Sequence, residues 1–251
     1  MLSLIENPLA VLGDIGILVR ETLVQAFKRP FGVRLIIAEM YNLGVTSLSI
    51  TNVTLLFTGM VIAIQTSYTL GAYGAKIYTG NMVGLSIALE LGPVLTAIMV
   101  AGRVGAGITA DLGTMTVTEQ VDAMRALAAN PIKRLVVPRL LALMVMLPAL
   151  TLLAVVVGIF GGLIMARFDI GQTTDFYMAH VRASLYPGDL LRGLGKAPFF
   201  AFAIGIISCY NGLHATGGAD GVGRATKNTV VASCMTVFVS DFFLAKLFLW
   251  L

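Results

Sequence analysis

Three ionisable residues stand inside strongly apolar stretches: Glu90 in LSIALELGPVLTAIMV, Lys196 in LRGLGKAPFFAFAIG and Asp241 in VFVSDFFLAKLFLW. A charged side chain at the centre of a membrane span costs about 2.5–3.5 kcal/mol on insertion scales, so each position needs a reason. A polar cavity, a partner cation or a helix interface would each supply one. Pro93 follows Glu90 by three residues. It lacks an N–H and should free the Leu89 carbonyl, a break tolerated where neighbours or water satisfy the freed group. Two readings stay open. In one, Glu90 lines a wet cavity within the membrane. In the other, Glu90 and Lys196 form an ion pair that holds helices together. Lys196 could equally snorkel to the interface, and Asp241 is as readily a buried structural partner as a substrate contact.

These residues need a scaffold, and composition names it. The 251 residues are 57% hydrophobic and 12% charged, with a mean hydropathy of +0.90. Long apolar runs recur along the chain, so the expected class is an all-α integral membrane protein. Period-2 alternation is absent, which argues against a transmembrane barrel. No basic region precedes a short apolar core in the first 35 residues, so insertion is expected to use the first true span. The two cysteines, Cys209 and Cys234, have no CxxC spacing, and His180 and His214 form no HExxH. Neither a metal site nor a catalytic residue is expected, and the +4 net charge is no argument for nucleic acid in such a chain.

Two regions are expected, an N-terminal interfacial one over 1–34 and a membrane-spanning one over 35–251. In the first, Leu9, Leu12, Gly16, Val19, Leu23 and Phe27 recur at helical spacing, with Asp14, Glu21, Gln25 and Lys28 largely opposite. Asn7 suits an N-cap, Pro8 the first helical position, and Lys28-Arg29-Pro30 a stop. This helix is expected to lie in the membrane interface. Five spans follow, over 44–70, 82–102, 140–166, 194–213 and 229 to the C-terminus. The N-terminal segment and the connections 103–139 and 211–228 carry eleven lysines and arginines, the rest of the chain six. The positive-inside rule puts the eleven in the cytoplasm, with the N-terminus inside and the C-terminus outside.

The connection between the second and third spans reads TMTVTEQVDAMRALAANPIKRLVVPR. Thr116-x-x-Glu119 has the form of a capping box, Val117, Val121, Met124 and Leu127 keep a helical period, and Asn130-Pro131 is a stop. A short amphipathic helix over 116–131 is expected, either resting on the headgroups or docking a cytoplasmic partner. Gly158-x-x-x-Gly162 and the pairs Ala101/Gly105 and Gly102/Ala106 would let helices approach closely. Two nucleotide-site patterns fail: GLGKAP lacks the first P-loop glycine and the final Ser/Thr, and GGADGVGRAT joins two spans with no strand before it. The chain should therefore be no enzyme itself, and any ATP must be bound by another subunit.

The long block ELGPVLTAIMVAGRVGAGITADLGTMTVTEQVDAMRALAANPIKRLVVPR, with YNGLHATGGADGVGRATKNTVVAS and FTGMVIAIQTSYTL, resembles the MlaE/YrbE family, permease subunits of MCE-type ABC lipid transporters. The resemblance covers roughly 35–251. One position departs: Leu89 precedes the motif's glutamate where family members often have a basic or polar residue. The resemblance implies a homodimer in the bacterial inner membrane that moves phospholipid between that membrane and periplasmic carriers. It implies a cytoplasmic ATPase and a hexameric periplasmic MCE-domain protein, and it admits a small STAS-domain protein. On that basis Glu90, Leu91, Gln65, Tyr68, Lys196 and Asp241 are the lipid-binding candidates. Glu119, Gln120, Asp122, Met124, Arg125 and Leu127 are the candidates for coupling to the ATPase.

The competing reading is a secondary transporter or channel with Glu90, Asp241 and Lys196 as a proton relay. An intramembrane enzyme is disfavoured, since no Ser/Lys, Asp/Asp or HExxH arrangement faces across the spans. Orientation is open to direct test: Asp122→Cys should be shielded from an impermeant thiol reagent added outside intact cells and should label after permeabilisation. Labelling from outside would overturn the assigned topology.

Overall fold

The computed structural model describes residues 8–28 and 32–250. Asn7, Arg29 and Pro30, assigned above to a cap and a stop, lie outside the described residues. The elements among the described residues are helical. They are α1 (Pro8–Ala26), α2 (Val33–Gly44), α3 (Leu48–Gly71), α4 (Thr79–Ser86), α5 (Gly92–Val100) and α6 (Ala106–Val117). They continue as α7 (Gln120–Ala126), α8 (Val137–Phe168), α9 (Thr174–Ser184), α10 (Pro187–Leu213) and α11 (Gly218–Trp250). Wide π turns at Ile87–Leu91, Ala101–Gly105 and Ile132–Val136 join α4 to α5, join α5 to α6 and lead into α8.

Five stretches are long and apolar enough to cross a membrane: Val33–Gly71, Lys76–Val117, Ile132–Phe168, Pro187–Leu213 and Gly218–Phe248. The count agrees with the sequence, but all five begin earlier than expected and the second also runs on to Val117. In lipid every backbone group must find an internal partner, so a helix continues until water is available. Threonines do not interrupt it. The Thr54, Thr58 and Thr151 hydroxyls each return to the carbonyl four residues back at 2.8 Å.

Pro93 does not break the second span, contrary to the expectation. The Gly92 N–H reaches back five residues to the Ile87 carbonyl. The π turn absorbs one extra residue just ahead of the residue that cannot donate.

The capping box does not form either. The Thr116 hydroxyl donates to the Leu112 carbonyl at 2.8 Å, and α6 runs through to Val117. Glu119 then takes a left-handed conformation at φ 59° and α7 follows. The expected helix over 116–131 is therefore only Gln120–Ala126. Ala128 is left-handed too, at φ 58°, so reversals close both ends of α7. Asn130 is a cap rather than a stop: its Oδ1 accepts from the N–H groups of Ile132 at 2.9 Å and Lys133 at 3.3 Å.

The chain forms two compact units, residues 1–45, 101–144 and 201–236 in one, and 46–100, 145–200 and 237–251 in the other. Of the sixteen lysines and arginines among the described residues, ten fall in the first unit and six in the second. The charge asymmetry read from the loops is thus a property of folded units.

In the first unit, α1 is held by Ile15, Leu18 and Val19 against Leu140, Ile206 and Leu213. Of the row expected from sequence, only Val19 is in this contact. Leu12, Leu23 and Phe27 stay exposed, Phe27 by 83%, so α1 has one apolar face docked and a second one free. Thr109 ties its neighbours together, its hydroxyl lying 3.0 Å from the Ser208 carbonyl and 2.9 Å from the Thr229 hydroxyl. Asn211 also donates to Thr229, at 2.9 Å. Gly105 sits against Ser208 and Ile204.

The second unit has a core of Ala63, Val83, Ile87, Ala88, Val155, Ala166, Tyr177 and Val181. Here Gly158 works with Gly161 rather than with Gly162, which faces Tyr177 and Val83 instead. A Cβ on Gly59 would strike the Gly158 carbonyl, and one on Gly161 the Leu56 carbonyl, so α3 and α8 touch backbone to backbone. Of the other small pairs, Gly105 makes a close contact while Gly102 faces open space.

Gly59→Val should therefore destabilise the protein by about 1–3 kcal/mol through overpacking against a rigid backbone. Gly107→Ala, which meets nothing within 4 Å, should be neutral. Thermal unfolding in detergent, followed by size-exclusion recovery, would separate the two. Equal stability of Gly59→Val and the native chain would contradict the close approach.

Candidate functional site

The second unit brings three of the sequence-selected residues together. Lys196 Nζ donates to Glu90 Oε2 at 2.6 Å and to Asp241 Oδ1 at 3.0 Å. Lys196 is only 2% exposed. It does not snorkel. Its side chain is enclosed while that of Glu90 stays 47% exposed and that of Asp241 19%. One cation thus neutralises two carboxylates, leaving a formal surplus of one negative charge, and the Glu90 carboxylate is the open edge of the cluster.

Local backbone explains the geometry. Glu90 lies in the π turn Ile87–Leu91, which interrupts the regular helical face. π turns recur where a side chain must be re-aimed. Lys196 is on α10, preceded by Gly193 and Gly195. A Cβ on Gly193 would run into the Ala88 carbonyl, and one on Gly195 would press on the Phe248 ring. The two glycines let α10 approach the Glu90 turn and α11 closely enough for a lysine to reach both acids. The GLGK run is thus a packing device. Its role was missed in the sequence, where the only visible signal was a poor P-loop.

The remaining lipid-binding candidates are not gathered in the same way. Leu91 is half-buried beside Glu90. Gln65 and Tyr68 are exposed on α3, Tyr68 by 85%. No hydrogen bond or ion pair among the described residues joins either to Glu90.

The coupling candidates form a surface. Glu119, Gln120, Asp122, Arg125 and Leu127 are exposed and Met124 is half-buried. Val121 alone anchors α7 inward. Arg125 pairs with Asp122 at 2.9 Å, and Gln120 donates to the Thr118 hydroxyl at 3.1 Å. Such exposed pairs contribute little to stability. Leu127, 82% exposed, is the one large apolar side chain that α7 and its C-terminal turn offer to solvent.

A second charged cluster escaped the sequence reading. Arg139, counted there as a loop charge, is buried within α8 and lies 3.4 Å from Glu39 and 3.8 Å from Asp111. Its Nη1 is buried without a hydrogen-bond partner. The signal was available: Glu39 and Asp111 each interrupt an apolar stretch.

Removing the shared cation should cost more than removing either acid. Lys196→Met leaves two facing carboxylates and should destabilise by about 3–5 kcal/mol, the range for breaking a buried ion pair. Asp241→Asn should cost less, and the half-open Glu90→Gln least. The triple variant Lys196→Met/Glu90→Gln/Asp241→Asn should recover much of the loss. Melting temperatures of the four purified variants would test the order; a triple variant no better than Lys196→Met would contradict it.

Comparison with known proteins agrees with this architecture. Residues 36–247 match the family model described as Permease MlaE. A probable ABC transporter permease protein of Rickettsia prowazekii (strain Madrid E) is 40% identical over 221 residues, 88% of this chain and 85% of that protein. One of Synechocystis sp. is 41% identical over 209 residues, 83% and 80% of the two chains. The chloroplast protein TRIGALACTOSYLDIACYLGLYCEROL 1 of Arabidopsis thaliana is 37% identical over 135 residues, 54% of this chain and 39% of its own length. Five apolar spans, a helical fold and a family match over most of its length place this chain in the MlaE permease family, among the membrane-spanning subunits of ABC transporters.

Proposed function

We propose that the chain is the permease half of an ATP-driven transporter that moves phospholipid between the bacterial inner membrane and periplasmic carriers, working as a homodimer. The observation that carries this reading is the half-open Glu90 carboxylate, held by the buried Lys196 within an otherwise apolar span. An amphiphile needs mostly apolar walls and one polar point for its head, and Glu90 offers such a point. Leu91, Gln65 and Tyr68 belong to the same unit and would contribute contact area, with Lys196 and Asp241 setting the charge of the polar end. The name of the Arabidopsis relative, which contains a galactolipid, supports a lipid cargo.

ATP is hydrolysed by a cytoplasmic ATPase that engages α7 through Glu119, Gln120, Asp122, Met124, Arg125 and Leu127. The exposed charges and Leu127 supply a polar rim and an apolar point, the usual composition of a docking surface. A periplasmic MCE hexamer receives or supplies the lipid, and a small STAS-domain protein accompanies the ATPase. The N-terminus is cytoplasmic and the C-terminus periplasmic, on the strength of the basic loops.

In proteoliposomes containing the purified complex, lipid transfer should require ATP. A photo-crosslinker at Leu91 should capture phospholipid, and one at an outward-facing control such as Phe238 should capture it independently of nucleotide. Glu119→Ala/Met124→Ala should lower ATPase recovery and transfer at least fivefold with membrane insertion unchanged. Transfer driven by a proton gradient without ATP would favour the relay reading instead, and absence of any lipid adduct at Leu91 would remove the cavity assignment.

A further inference from the structure

The first unit holds a cavity of about 550 Å³ that the transport reading leaves unused. Asp14, Ile17, Leu18 and Glu21 of α1 form one wall. Arg125, the turn 128–132 and the end of α10 at Leu213 and His214 form the rest. The volume lies within the range of ligand pockets, roughly 300–1,000 Å³. Asp14 and Glu21 are exposed and make no ion pair among the described residues. Arg125 already has a partner in Asp122. In a unit where basic residues outnumber acidic ones, the cavity thus has two unmatched carboxylates.

The direction of approach follows from α1. At about 100° per residue, Asp14 and Glu21 project roughly opposite the free apolar stripe of Leu12, Leu23 and Phe27. If that stripe faces lipid, the cavity opens toward water, so its occupant comes from the aqueous side. The same cavity reaches Arg125 and the turn that closes α7, so it is continuous with the surface assigned to the ATPase. Asp14 and Glu21 are two turns apart, about 10 Å along the axis.

We infer that this cavity is a second docking point for the ATPase, filled by a basic segment with two lysine or arginine side chains about two helical turns apart. Their aliphatic stems lie along Ile17, Leu18 and Leu213 while their charged heads meet Asp14 and Glu21. The ATPase then grips α1 as well as α7. This inference rests on the permease reading above.

The test uses the full-length chain with a photo-crosslinker at Ile17, in membranes that contain its ATPase. The expected adduct joins Ile17 to a peptide of a protein with a P-loop, and that peptide contains two basic residues. Asp14→Lys/Glu21→Lys should reduce ATPase recovery at least tenfold, and Asp14→Asn/Glu21→Gln about threefold, with an unchanged size-exclusion profile. Reversing the charge of the two crosslinked basic residues should restore binding to the Asp14→Lys/Glu21→Lys chain. An adduct with phospholipid, or full ATPase recovery by Asp14→Lys/Glu21→Lys while Glu119→Ala/Met124→Ala loses it, would overturn the cavity assignment and leave the permease reading standing. Failure of any ATPase to co-purify with the native chain would remove both.

Discussion

A lysine ammonium enclosed in an apolar bundle is the constraint around which the second unit is organised. Lys196 is almost completely buried, and such a charge is tolerable only if neutralised at hydrogen-bond distance. Its partners are Asp241 and Glu90, which come from different spans. The approach of the Lys196 helix to the Glu90 turn requires Gly193, where a side chain would strike the Ala88 carbonyl, and Gly195 eases its contact with Phe248 on the Asp241 helix. The π turn at Ile87–Leu91 completes the requirement by presenting Glu90 where a regular helix preceding Pro93 would be disturbed. Charge, glycine and turn therefore depend on one another.

The first unit repeats the theme with other residues. Arg139 is enclosed between Glu39 and Asp111, again one cation with two carboxylates from different spans. Its ion pairs are longer, at 3.4 and 3.8 Å, and Nη1 lacks a partner. A guanidinium has five N–H donors in a fixed fork and is harder to satisfy fully than an ammonium. Alongside it, the uncharged set of Thr109, Ser208, Thr229 and Asn211 joins helices through hydroxyls and carbonyls, which avoids the desolvation cost of full charges.

Much of this was legible in the sequence because lipid enforces simple rules. Apolar length gave the five spans, and basic residues in connections gave an asymmetry that reappears as ten against six between the folded units. The pairing of Glu90 with Lys196 was one of two readings that charge alone allowed. What could not be read were choices between near-equal local alternatives. Thr116 has the right spacing to cap a helix, yet its hydroxyl serves the preceding helix, and the reversal falls on Glu119, a residue type that seldom adopts φ 59°. Pro93 signals a break unless the register shift ahead of it is known. Arg139 looks like a loop charge until α8 is seen to start before it. In α1, two apolar faces share one periodicity, and only packing decides that Ile15, Leu18 and Val19 are the docked row.

The Lys196 cluster also has more charge than a structural tie needs. Replacing a buried ion cluster by well-packed apolar residues is often neutral or stabilising, so stability alone is a weak reason for three charges here. A tie would be served by one acid enclosed with the lysine, and Asp241, only 19% exposed, fills that role. Glu90 is different. Its side chain is 47% exposed although it shares the same cation, so the carboxylate keeps lone pairs free on its open side. A second acid that is held in place but left partly uncovered is poorly explained by packing. It is well explained if the open edge meets something polar that enters an apolar surrounding, with the buried lysine fixing its position and offsetting its charge.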